Sequence, residues 1–293
     1  MSYFSRTEKK LQVFLLIPVV VVVLGVVIYP LLYTLWLSFN NVDLTHPLEN
    51  GFVGVKNYFY LLKQDYFWGA LGRTFYFTVV SLLIEITAGI LLALLLNADF
   101  AGRNILRVLI ILPWALPTIV NGALWRWIFN PEYGALNALL VKLGIINTYQ
   151  SWLGKPFLAL NMVIIADAWK MTPLVAILLL AALQAIPRDL YEACEVDGAN
   201  KWTIFREVIL PYLKPTLLVV IVLRTMEAFK VFDIIYIMTR GGPANGTQVI
   251  TYYAYQEAFS FLHLSKGAAL SYLISLIILA LAIIYSRLIK NEL

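Results

Sequence analysis

The chain has 293 residues, 61% of them hydrophobic and only 13% charged, with a formal net charge of +5. A soluble domain is about half apolar and a quarter charged, so this balance excludes a water-soluble enzyme and points to a multi-span membrane protein. A single cysteine, Cys194, excludes an internal disulfide, and with two distant loop histidines, His46 and His263, no metal centre is expected.

A helix needs about 20 apolar residues to cross the hydrocarbon. Six stretches qualify, at roughly 11–38, 74–97, 106–129, 157–183, 212–239 and 266–287, giving an all-α membrane protein with six transmembrane helices. The first lacks an A-x-A cleavage site and outruns a signal peptide's apolar core, so it reads as a retained span. The second carries one acid, Glu85, read as structural. The third contains Pro113 and Pro117, which cannot both sit in an unbroken helix, so it should kink there. Trp114, Thr118, Asn121 and Trp125 share its face, and broken helices near the midplane commonly line a solute site. Arg126 near its outer end reads as structural. Asn130-Pro131 ends this span, and "YGALNALLVKLGI" then has the spacing of a helix lying along the outer surface.

The fourth span places Asp167, Lys170, Met171 and Leu174 at i, i+3, i+4 and i+7, one helix face. The fifth does the same with Arg224, Glu227 and Val231, with Lys230 and Asp233 nearby. Charges inside a membrane are costly and default to candidates for a transport path. The competing reading is salt bridging within the bundle, Arg224 with Glu227 and Asp167 with Lys170. The in-span charges balance, which with the tryptophan faces suits a neutral sugar or polyol. "TRGGPANGT" is a turn that stops the fifth span.

Between the fourth and fifth spans lies a charged cytoplasmic segment, 187–210. Asp189 followed by Glu192 reads as a capping box opening a short helix. Leu190, Ala193 and Cys194 fall on one face, Glu192 and Glu195 on the other. Gly198 is placed to end that helix in the left-handed region. Asn200 can cap a second short helix through Ile209, with Pro211 starting the next span. Two such short helices need a surface to dock on.

Lysine and arginine set the orientation. Arg6, Lys9, Lys10, Arg103, Arg107, Arg188, Lys201, Arg206, Lys214, Arg287 and Lys290 crowd one side. Lys56, Lys63, Arg73, Lys142, Lys155, Arg240 and Lys266 lie on the other. The positive-inside rule puts both termini in the cytoplasm of a multi-pass cell-membrane protein. The basic balance reflects topology, and nucleic-acid binding is not implied. The only Gly-Lys pair, Gly154-Lys155, is followed by proline and lacks the upstream glycine of a P-loop. The chain therefore holds no catalytic site and no cofactor of its own.

The segment "EACEVDGANKWTIFREVILP" resembles the EAA loop of ABC importer permeases. It matches at Glu192, Ala193, Asp197, Gly198, Ala199, Phe205, Ile209, Leu210 and Pro211, and departs at Cys194, where the family has a second alanine. "LPWALPTIV", "YGALNALL", "ALQAIPRDLYEA" and "MTRGGPANGT" with "YAYQEAF" resemble, in the same order, the carbohydrate-uptake permeases of the maltose and glycerol-phosphate type. The resemblance covers nearly the whole chain. It implies a type I ABC importer permease fold with a cytoplasmic EAA coupling helix pair. It implies a sugar or oligosaccharide importer whose ATP and Mg are bound by two partner ATPase subunits. A second homologous permease, making a heterodimer, and an extracytoplasmic solute-binding protein complete the assembly. Within it, Tyr191, Glu192, Ala193, Glu195, Asp197, Gly198 and Ala199 would meet the ATPase. Trp114, Thr118, Asn121, Asp167, Lys170, Met171, Leu174, Arg224, Glu227 and Val231 would contact solute. A glycerol-phosphate importer subunit, a self-sufficient secondary transporter or channel, and a non-transporting membrane scaffold are the alternatives.

Overall fold

The computed structural model describes the backbone of residues 6–46 and 51–292, with side chains from 14–46 and 51–287. The side chains of Arg6, Lys9, Lys10 and Lys290, used for orientation, lie outside the described residues, as does part of the outer loop at 40–72. Two compact units divide the chain, one of residues 1–65 and 253–276, the other of 66–252 and 277–293.

The first unit begins with α1 (Arg6–Val22), a π-helical turn at Val23–Ile28 and α2 (Tyr29–Ser38). From Phe14 to Ser38 this is one apolar helix long enough to cross a membrane. Strands β1 (Asn40–Asn41) and β2 (Gly51–Phe52) pair antiparallel behind it. The short helix α3 (Lys56–Leu62) is tied back by Asn57, whose Nδ2 donates to the carbonyls of Ser38 at 2.9 Å and Asn40 at 2.8 Å. His263, expected to be an ordinary loop residue, instead lies between two acids. Its Nδ1 is 2.8 Å from Glu257 and its Nε2 is 3.5 Å from Asp43. A hydrogen bond from the Thr45 hydroxyl holds the Asp43 carboxyl below its usual range.

The second unit carries the long helices. These are α4 (Asp65–Asn97), α5 (Arg103–Ala115), α6 (Thr118–Ile128), the short α7 (Ala135–Lys142) and α8 (Pro156–Gln184). After α8 come α9 (Arg188–Val196), α10 (Lys201–Ile204), a π turn at Phe205–Ile209, α11 (Leu210–Phe229) and α12 (Asp233–Met238). Helix α13 (Ile250–Tyr255) and α14 (Leu264–Glu292) bridge the sequence limits of the two units. Among the described residues, five helices are long and apolar enough to cross a membrane, or six if α5 and α6 count as one broken span.

The sequence expectation departs from this architecture in four places. The helix read as 74–97 starts at Asp65. The third stretch does more than kink: α5 and α6 meet at 97°. Pro117 lacks an N–H and takes the extended cap position, φ −55 and ψ 140, so the α5 ladder cannot run through it. The fifth stretch, read as helical through residue 239, stops at Phe229. Residues 230–232 leave the helix before α12 begins. The second cytoplasmic helix is not separate either, because Lys201 to Phe229 is one continuous helix. Pro211 and Pro215 sit inside it. The π turn at Phe205–Ile209, just before the proline ring of Pro211, widens the ladder where that ring would otherwise press on the carbonyl a turn back.

Apolar burial between helices gains little when the alternative is lipid, so close packing of small residues holds such bundles. The contact of α4 with α8 follows that rule at Gly89 and Ala93, while larger side chains fill the rest of the core. Ala93 and Leu96 of α4, Val175 and Leu179 of α8, and Leu213 and Val220 of α11 form one buried cluster. Gly89 makes the approach possible, since a Cβ there would lie 2.6 Å from Val175 Cγ1 and 3.0 Å from its Cβ. Replacing Gly89 with valine should push α4 off α8 and destabilise the bundle by about 1–3 kcal/mol, an overpacking cost. Thermal unfolding of the purified variant in detergent checks this, and an unchanged midpoint would show that α4 can move freely.

Candidate functional site

Three helices meet at one guanidinium, and a fourth packs beside it. Arg224 of α11 is almost fully buried, at 3% side-chain exposure, and Glu85 of α4 is at 0%. Arg224 donates from Nε to Glu85 Oε2 and from Nη2 to Glu85 Oε1, both at 2.7 Å. Its Nη1 donates to Glu227 Oε2 at 2.7 Å, and Nη2 also reaches Asp167 Oδ2 of α8 at 3.3 Å. The fork-on-carboxylate geometry of the Glu85 pair is the strong, orienting form of such a contact. The fourth helix is α6, where Asn121 Nδ2 donates 3.1 Å to the carbonyl of Ala166, the residue before Asp167. One turn on, Trp125 packs edge-on against Trp169 of α8 with ring centroids 5.7 Å apart.

The charge count sets the electrostatics. Three carboxylates face one guanidinium, and Lys170, one turn along α8, adds a second positive charge near Asp167. Exposure is graded: Asp167 is 11% exposed and Glu227 45%, so only the Glu227 edge is open. Glu85, read from the sequence as structural, is sealed and clamps Arg224. Of the salt bridges weighed against a solute role, Asp167 with Lys170 is corrected, because Asp167 meets Arg224 instead. Lys170 lies one turn along α8, half-buried, with no ion pair to Asp167 among the described residues. Arg224 and Glu227 do pair, as one helix face predicts.

The other expected solute contacts fall nearby or apart as follows. Met171 and Leu174 are half-buried on the Asp167 face of α8. Val231 sits in the break after α11, and its carbonyl accepts from Thr251 Oγ1. Thr118 opens α6 half-buried, and Trp114 is exposed on the last turn of α5. Asn121 is fully buried with its amide committed to Ala166, so it positions α6 against α8 in this conformation. Helix α12 then lies on α6, where Gly122 leaves room for Ile237.

The charged segment forms a second feature. Helix α9 starts after Pro187, which occupies the cap position without a side-chain hydrogen bond. The expected capping box is therefore absent. Asp189 lies inside the first turn, two residues too late to cap. The helix end is as expected: Gly198 has φ +68. The Ala199 amide donates to Cys194 O at 2.9 Å, and that of Gly198 to Glu195 O at 3.1 Å. These two bonds are the Schellman closure. Asn200 caps the following helix, its side chain accepting from the Thr203 amide at 2.9 Å. Leu190 and Tyr191 pack onto the bundle core, and Cys194 is half-buried beside them. Ala193, expected on that inner face, is instead exposed with Glu192, Glu195, Val196, Asp197 and Gly198. Tyr191, expected to meet a partner, turns inward, and burial raises its phenol above the ordinary value.

Residues 85–291 match the family of binding-protein-dependent transport system inner membrane components. The chain belongs to that family. This permease is 40% identical over 289 residues to the trehalose/maltose transport system permease protein MalF of Thermococcus litoralis, covering 98% of this chain and 96% of the relative. It is 34% identical over 285 residues to the sulfoquinovosyl glycerol transport system permease protein SmoG of Agrobacterium fabrum, covering 97% and 92%. Its fold matches a chain of a bacterial alginate ABC transporter solved with an alginate pentasaccharide-bound periplasmic protein. That match has TM-score 0.84 at 22% identity and covers 98% and 96% of the two chains. Permeases of this family are non-catalytic inner-membrane subunits, with ATP hydrolysis in a partner chain. Family membership therefore sets aside the self-sufficient transporter and the passive scaffold, and it implies a partner ATPase and a solute-binding protein.

Proposed function

We propose that this chain is one of two permease subunits of an ATP-driven importer for a neutral sugar or oligosaccharide. Its relatives named for trehalose/maltose transport support the substrate class. The observation that carries the site is the graded cluster on Arg224: a sealed cation, and one half-exposed carboxylate, Glu227, beside Asp167. The half-open Glu227 carboxylate offers an acceptor to solute hydroxyls, and the balanced in-span charges supply no surplus cation for an anion such as a glycerol phosphate. The partner permease is a different, homologous chain lining the other half of the path. Two ATPase subunits bind ATP and Mg and dock on the exposed face of α9, and a solute receptor delivers the sugar from the side opposite the cytoplasmic termini. Of the residues singled out for solute contact, Trp114, Thr118, Asp167, Lys170, Met171, Leu174, Glu227 and Val231 keep that proposed role. Arg224 and Asn121 act from behind them.

The test is uptake by the whole importer in proteoliposomes. Glu227→Ala and Asp167→Ala each remove a charge-assisted hydrogen bond to solute, worth about 1.5–3 kcal/mol. The transport KM should rise about ten- to a hundredfold. Receptor-stimulated ATP hydrolysis should persist, because it depends on docking and loop coupling. An unchanged KM in both variants would remove this cluster from the path.

A further inference from the structure

Glu85 cannot touch a solute, yet the geometry gives it control of the groups that can. Its two oxygens hold Arg224 Nε and Nη2, both at 2.7 Å. That bidentate contact fixes the guanidinium plane and leaves Nη1 directed at Glu227. Glu227 is thereby bound through Oε2 alone, and its Oε1 receives no hydrogen bond among the described residues. Asp167 likewise receives a single, longer contact at 3.3 Å. Were Glu85 not occupying two donors, the same fork could turn onto Asp167 or Glu227 bidentately. The acceptor atoms open to a solute would then be consumed inside the protein. Gly89, one turn along α4 from Glu85, sets the distance of this strut by its contact with Val175.

We propose that Glu85 is a positioning residue for transport: by saturating Arg224 from the sealed side, it keeps Asp167 and Glu227 available to the solute hydroxyls. The inference rests on the solute path proposed above and adds a residue to it from a helix that contributes no solute contact. It makes specificity a property of three helices acting through one cation. Loss of the Glu85 charge should weaken neutral solutes while relaxing the exclusion of anionic ones, since Arg224 would then lack its sealed counter-ion.

The experiment is a double-mutant cycle on uptake, with the importer reconstituted intact. Glu85→Gln preserves shape and leaves Arg224 two acids to pair with, so folded yield should stay near wild type. Its KM for the neutral sugar should rise about tenfold with Vmax within about twofold. In a Glu227→Ala background the same change should raise KM by clearly less than it does alone, because only the share acting through Asp167 remains. A Glu85→Gln variant that loses Vmax or melting temperature with KM unchanged would overturn the proposal, as would a KM effect undiminished beside Glu227→Ala. If Glu227→Ala alone leaves KM unchanged, the solute path itself fails, a separate result. Should Glu85→Gln not fold, Gly89→Ala displaces α4 without altering any charge. A raised KM there supports the positioning role, and an unchanged KM overturns it.

Discussion

Gly198→Val is expected to abolish uptake while the protein still inserts and keeps its bundle. Gly198 holds φ +68, and the amides of Gly198 and Ala199 close the end of α9 from that conformation. A Cβ at this position would meet nothing within 4 Å. The penalty is therefore purely conformational, about 1–2 kcal/mol for an ordinary L-residue and larger for a β-branched one. That is enough here, because α9 has only nine residues and helices below about 12 residues are marginal without a docking surface. The strained turn would re-aim α9 against the helix that Asn200 begins, and with it the exposed Glu192, Glu195 and Val196 face proposed to meet the ATPase. Asparagine tolerates the left-handed region better than valine, so Gly198→Asn should retain part of the uptake. The readouts are uptake, co-purification of the ATPase subunits and detergent melting temperature on the same samples. Normal uptake by a well-inserted valine variant would remove α9 from the coupling role.

What the sequence made legible, and what it hid, follows from the range of the interactions. Gly198 and Asn200 were readable because a positive φ and an N-cap are local requirements met by few residue types. Asp189 misled because the capping-box pattern says nothing of Pro187, which holds the extended cap geometry two residues earlier. The two prolines of the third stretch announced a break, but its 97° angle depends on packing such as that of Ile237 against Gly122. The break after Phe229 has no proline or glycine to mark it. Helix-face reasoning found Arg224 with Glu227, three residues apart. It could not find Glu85, 139 residues away in sequence. A signal was present all the same. A lone acid in an apolar span must find a cation on another helix, and Arg224 was the candidate with two acids already on nearby faces.

Arg224→Leu should cost the most of any single change in the bundle. It removes the cation from Glu85, which is fully sealed, and from Asp167, which nearly is. Breaking a buried ion pair from one side is destabilising by about 3–5 kcal/mol, because the charge left behind has neither water nor partner. A membrane protein of ordinary marginal stability should then lose most of its folded yield. Glu85→Leu is milder, since Arg224 keeps Asp167 and the half-exposed Glu227. The two changes together distinguish the partners: with Glu85 and Arg224 both leucine, the fully sealed pair is gone and apolar side chains fill a comparable volume, leaving Asp167 as the one nearly sealed acid without its cation. Such replacements of buried pairs are often neutral or stabilising, so folded yield should return toward wild type. Uptake should not return, because Asp167 and Glu227 would have lost the guanidinium that orients them. Size-exclusion profiles and melting temperatures of the two single variants and the double variant, beside sugar uptake, measure both halves. If Arg224→Leu folds as well as wild type, the cluster does not hold the bundle. If the double variant is as poor as Arg224→Leu alone, Glu85 is not the partner whose charge mattered.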